Sequence, residues 1–143
     1  MSRDPDWIDF QPHKQDLSKV LGDLEADIMK TIWTTQKGDV KTIHKQLNKE
    51  RKAAVTTVAT VLDRLHDKGL VQRELVKEGG VRYVYSPAMT RNQFESTVVS
   101  NVLRGLFESF GESAISYLIQ NTGMEDEEAA EELRKRLEKL KEE

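Results

Sequence analysis

The chain has no cysteine, which excludes disulfides, thiolate metal sites and cysteine nucleophiles. It has no apolar run of about 18 residues, so no transmembrane helix and no membrane contact are expected. Asp4, Asp6 and Asp9 interrupt any resemblance to a signal peptide, and a cytoplasmic protein is the expectation. The three histidines, His13, His44 and His66, are far apart without ligand-like spacing. No metal site is expected, and His44 and His66 read as helix-surface residues. A nucleophile–base motif, a glycine-rich phosphate loop and HExxH are all missing. The sequence therefore reads as a non-enzyme with no cofactor.

What is present is charge. Of 143 residues, 33% are charged and only 37% are apolar, which suits a small cored domain carrying helices that bury against a partner chain. The net charge of −3 hides a segregation. Lys37 to Arg82 carries 11 basic and 6 acidic residues, whereas Met124 to Glu143 carries 5 basic and 9 acidic. A basic middle with an acidic tail fits a DNA-contacting domain joined to a solvated assembly domain.

Residues 1–20 show no sustained period and read as an arm that is extended or disordered until it packs somewhere. A minor-groove role would rest on Arg3 alone, among acidic neighbours. Leu24, Ile28 and Ile32 mark a first helix from Gly22 to Thr34, ended at Lys37-Gly38. Asp39 caps a second helix, Val40 to about Lys49, with Val40, Ile43 and Leu47 inward and Lys41, Lys45 and Lys49 opposite. A third helix runs from Ala54 to its stop at Gly69. Val58, Val61, Leu62 and Leu65 form its apolar stripe; Thr56 and Thr60 lie opposite, flanked by Thr57 and Ala59.

An outward face of small hydroxyl and methyl groups can sit close to base edges in a major groove. The same face also suits an ordinary threonine-rich surface helix. Ala54 offers no capping oxygen, which leaves the first amides open to a phosphate. Asp63 and Asp67 share the outward face further along, where they would repel phosphates, so only the first two turns are expected in a groove. Two β-prone runs, Leu70–Glu78 and Val81–Ser86, flank Gly79-Gly80 and predict a hairpin ended by Pro87. Lys77 and Arg82 fall near its tip. Helix, helix, helix, hairpin is the order of a winged helix-turn-helix.

Thr90-Arg-Asn-Gln93 is a capping-box arrangement opening a long helix. Phe94, Val98, Val102, Leu106 and Phe110 follow at four-residue steps. A shorter helix is expected after Gly111, with Ile115, Leu118 and Ile119 apolar and Asn121-Thr-Gly123 as its stop. A last helix from about Glu125 carries Ala130, Leu133, Leu137 and Leu140. These helices lack the apolar area for a separate monomeric core. The expectation is a homodimer through Phe94, Val98, Val102, Leu106, Phe110, Ile115, Leu118, Leu133, Leu137 and Leu140. The fold class is thus mainly α with a β-hairpin wing. Its parts are an arm (1–20), a winged-helix DNA-binding domain (21–88) and a helical dimerisation domain (89–143).

Three segments carry a family resemblance: Leu21 to Trp33, Thr56 to Val71, and Arg82-Tyr-Val-Tyr-Ser-Pro87. Over about residues 20–140 the chain resembles the penicillinase-repressor family of bacterial β-lactamase and methicillin-resistance repressors and their copper-responsive relatives. The resemblance implies a homodimeric winged-helix repressor on a dyad-symmetric promoter operator, with base contacts on Thr56, Thr57, Ala59 and Thr60. Two departures stand out. Where receptor-induced members carry an Asn-Phe cleavage bond, this chain has Thr97-Val98, and it lacks the C-terminal cysteines of the copper-responsive members. The inducer, protease or small molecule, is left open.

Phosphate anchoring falls to Lys41, Lys45, Arg51, Lys52, Lys77 and Arg82. The functional expectation is a sequence-specific transcriptional repressor on double-stranded DNA. The alternatives are a winged-helix protein-interaction module and a small-molecule-sensing regulator.

Overall fold

The computed structural model of the chain describes residues 5–121 and 126–142, with side chains described up to Lys139. Arg3, Thr122, Gly123 and the Leu140 side chain lie outside the described residues. The structure divides into two compact units, residues 1–98 and 99–143.

The first unit is a winged helix-turn-helix. Helix α1 (Asp23–Thr35), α2 (Val40–Leu47) and α3 (Val55–Asp67) pack their apolar stripes together. Ile28, Met29 and Ile32 of α1, Ile43 and Leu47 of α2, and Val58, Leu62 and Leu65 of α3 are all buried. Strands β2 (Val71–Val76) and β3 (Arg82–Pro87) form the antiparallel wing in the register Val71↔Pro87 to Val76↔Arg82. Gly79 (φ +73°) and Gly80 (φ +108°) turn it, in a backbone region that side chains disfavour. Gly69 (φ +78°) ends α3, and the Leu70 amide reaches back to the Leu65 carbonyl at 2.9 Å.

The wing has a third strand that the sequence pattern does not predict. Gly38 and Asp39 form β1 and pair with Tyr85 and Val84, so the sheet order is β1-β3-β2. Two residues carry no alternation to read, and the pairing comes from tertiary packing. Asp39 also caps α2 as expected: its Oδ1 accepts from the Thr42 amide at 2.9 Å.

From residue 5 on, the arm packs against the first unit. A 3-10 turn at Asp16–Lys19 buries Leu17, and Leu21 is buried beside it. Trp7 stacks on Phe94 with centroids 6.1 Å apart, while Trp33 meets the same ring at 5.6 Å. Asp16 accepts from Lys30 at 2.8 Å and Arg91 at 3.0 Å. These charges hold its carboxyl below the ordinary range, the hydrogen bond from Lys30 contributing most.

Helix α4 (Arg91–Asn121) opens with the expected capping box, Gln93 amide to Thr90 Oγ1 at 3.1 Å and Thr90 amide to Gln93 Oε1 at 2.9 Å. Non-helical angles at Phe110 (φ −133°, ψ 31°) kink it into two helices one residue before Gly111, so the shorter helix expected there is present as the part of α4 beyond the kink. The second unit holds α4 beyond Val98 together with α5 (Glu127–Glu142). Within it, Phe107 and Ile115 are buried and Arg134 pairs with Glu112 at 3.1 Å.

Candidate nucleic-acid interface

Helix α3 presents its threonines as its periodicity requires. Thr56, Thr57 and Thr60 are exposed and Ala59 is half-buried, while the stripe from Val58 to Leu65 faces the core. The Thr60 hydroxyl donates to the Thr56 carbonyl at 3.0 Å. Its proton is therefore engaged, and what it offers outward is a methyl group and an oxygen that accepts. Such a group matches the donors of adenine N6 or cytosine N4 and the methyl of thymine.

The entry to α3 is fixed from α2. The His44 Nε2–H donates to the Ala53 carbonyl at 2.8 Å, and the Ala53 amide donates to Asn48 Oδ1 at 3.1 Å. Both polar groups of Ala53 are thus held by side chains at the end of α2. His44 is half-buried and builds the turn, which corrects its reading as a plain surface residue. The next residue, Ala54, is the N-cap, and among the described residues no side-chain cap bond reaches the first amides of α3.

A groove runs between α3 and the wing, lined by Lys41, Val55, Ala59, Val81 and Tyr83 among others. Val81, at the wing tip, is 72% exposed. Of the six candidate phosphate anchors, Lys41, Lys45, Lys52 and Lys77 are exposed, and none of the four has an ion-pair partner among the described residues. The other two are engaged. Arg51 pairs with Asp27 at 2.7 Å. Arg82 pairs with Asp39 at 3.1 Å and caps the turn by donating to the Glu78 and Gly80 carbonyls. The Thr42 amide, with Arg82 adding to it, holds the Asp39 carboxyl below its ordinary range.

Asp63 differs from its sequence reading. Arg73 of β2 binds it at 2.7 Å, so its charge is compensated, whereas Asp67 is exposed with no Lys or Arg partner among the described residues. Arg73 also lies 4.4 Å from the Tyr83 ring centroid. Sequence reasoning missed both Arg73 and Tyr83. The available signal was alternation: Val71, Arg73 and Leu75 share one sheet face, and the arginine takes an inward place there.

The assembly residues fall into distinct environments. Phe94 is 1% exposed inside the first unit, between Trp7 and Trp33, so it has no surface to offer a partner. In the second unit Leu106 and Phe110 are exposed, whereas Val102, Leu118, Leu133 and Leu137 are half-buried and Ile115 is buried. Val98, at the end of the first unit, is half-buried. Leu140 lies outside the described side chains.

Three helices, a capped wing and an outward threonine face place the chain in the winged-helix class. Its particular identity comes from comparison. Residues 21–139 match the penicillinase repressor family, and the chain belongs to it. It is 30% identical over 111 residues to the transcriptional regulator BlaI in two strains of Mycobacterium tuberculosis, covering 76% of this chain and 78% of the relative. Among solved structures, a possible transcriptional regulator from Methanosarcina mazei shares the fold with a TM-score of 0.51 at 22% identity, over 68% of this chain and 79% of that one. The chain is a transcriptional regulator of the BlaI type, not an enzyme. Among the described residues no helix is long and apolar enough to cross a membrane.

Proposed function

We propose that the chain represses transcription by binding, as a homodimer, a dyad-symmetric DNA operator. The observation that carries this reading is the exposed face of Thr56, Thr57 and Thr60 on the same helix whose Val55 and Ala59 line a groove with Lys41 and the wing tip. Thr56, Thr57, Ala59 and Thr60 read base edges by hydroxyl, methyl and shape, because no Arg, Asn or Gln stands on these turns. Lys41, Lys45, Lys52 and Lys77 anchor phosphates, with one more phosphate on the open amides at the start of α3. Arg51 and Arg82 join them only by sharing their guanidinium groups with Asp27 and Asp39.

Dimerisation runs through the second unit. Val99, Leu106, Phe110 and Tyr117 are exposed there at 54%, 42%, 62% and 66%, an apolar surface that a monomer would leave in water. The dimer sets the distance between two recognition helices and hence the half-site spacing. The test is selection of bound duplexes from a random-sequence pool, followed by anisotropy titrations on the selected and a scrambled duplex. The reading requires a palindromic selected site and a marked preference for it. Equal affinity for both duplexes would contradict it.

A further inference from the structure

Beyond the shared apolar core, a charged side chain bridges the recognition helix and the wing. Arg73 sits on β2 opposite Tyr85 of β3, and its Nη1 crosses to Asp63 Oδ1 on α3 at 2.7 Å. The same guanidinium lies over Tyr83 at 4.4 Å, and the Tyr83 and Tyr85 rings meet at 6.3 Å. Tyr85 is 3% exposed, which seats the inner end of this stack in the core. Tyr83 is 41% exposed and lines the groove with Val55 and Ala59. The stack thus begins in the core, passes Arg73, and ends in the groove.

We propose that Arg73 is a positioning residue for DNA recognition: it cancels the Asp63 carboxylate on the face of α3 and holds Tyr83 of the wing into the same groove, so that helix and wing meet a duplex as one surface. Two physical facts favour this role over plain stability. The Asp63 side chain is 63% exposed, and an ion pair so open to water adds little to folding. Uncompensated, however, that carboxylate would stand one helical turn past Ala59 and face DNA phosphates. A planar guanidinium can bind a carboxylate by its edge and an aromatic ring by its face at once, which a lysine cannot.

The inference rests on the DNA-binding reading, and a double-mutant cycle separates the two. Wild type, Arg73→Met, Asp63→Asn and the double variant are titrated against the duplex that wild type selects and against a scrambled duplex. Thermal unfolding of each variant is followed in parallel. Arg73→Met is expected to lose about tenfold in affinity for the selected duplex, a coupling typical of residues in one ion-pair network. The part due to the Asp63 charge should appear on both duplexes, because phosphate repulsion does not depend on sequence, and the part due to Tyr83 should fall mainly on the selected duplex, so that the specificity ratio falls. In the Asp63→Asn background the same change should cost much less. Arg73→Lys should recover the part due to charge and leave the part due to Tyr83.

Unchanged affinity for both duplexes in Arg73→Met, or an Arg73→Met penalty that is the same in both backgrounds, would overturn the positioning role while leaving the DNA reading intact. A wild type without duplex preference would overturn both. Should Arg73→Met fail to fold, Arg73→Gln, which keeps a polar side chain without the charge, takes its place in the same cycle.

Discussion

Thr60 is the position where a small change should have the largest consequence. Its side chain is exposed and its hydroxyl donates back to Thr56, so substitution there disturbs little of the fold. Exposed positions of this kind usually shift stability by no more than about 0.5 kcal/mol. Three variants separate what the side chain supplies. Thr60→Ser keeps the accepting oxygen and removes a methyl, a loss of about 0.8 kcal/mol or roughly fourfold in affinity. Thr60→Val keeps the shape and removes the acceptor, leaving a base donor unpaired at a cost of about 1–3 kcal/mol. Thr60→Glu brings a carboxylate into the groove; at an effective dielectric of about 20 and about 6 Å from a phosphate, the repulsion is about 3 kcal/mol, more than a hundredfold. Anisotropy titrations on the selected duplex should therefore rank the losses Ser, Val, Glu, with unfolding temperatures close together. Unchanged specific affinity in Thr60→Glu would refute the placement of α3 in the groove.

Lys77→Ala should weaken binding to all duplexes alike. It should also reduce the slope of log affinity against log salt by about 0.9 for each phosphate no longer neutralised, as read from titrations across a salt series. Phe94→Ala should destabilise the first unit by about 3–5 kcal/mol, because a fully buried ring is removed from between two tryptophans; denaturant unfolding measures it. Asp39→Ala should cost about 0.5–2 kcal/mol at neutral pH through loss of the α2 cap. Since the folded state lowers the Asp39 pKa, its contribution is fully present above the unfolded value of about 3.9 and fades as pH falls through the lower folded one. The stability gap between wild type and Asp39→Ala should accordingly narrow on acidification below about pH 4. Phe110→Glu should shift the chain from dimer to monomer in sedimentation analysis.

The helices and the wing are legible in the chain because each has a local signature: four-residue apolar steps, Asp39 and Thr90 as caps, Gly79-Gly80 as a turn. What is not legible is set by packing between distant segments. Strand β1 is too short to alternate, and it exists because Gly38 and Asp39 meet β3. The four-residue row containing Phe94 shows that something covers that ring, but not that Trp7, from an arm with no period of its own, does so. The threonine face is evident from helix geometry, whereas its charge is not. Asp63 looks repulsive in sequence because its partner, Arg73, lies on another element, and only the fold brings them together. Likewise Arg51 and Arg82 count as free cations in the sequence, yet Asp27 and Asp39 stand beside them in the fold.

The central claim is that one face, the start of α3 with the wing, meets DNA. Titration of the isotopically labelled chain with the selected duplex, followed by amide chemical shifts, tests it most directly. The largest changes are predicted at residues 55–60, at Lys41 and Lys45, and around Lys77 to Tyr83, while α5 stays still. Changes concentrated on α5 or on the α1–α2 surface, with 55–60 unmoved, would contradict the account.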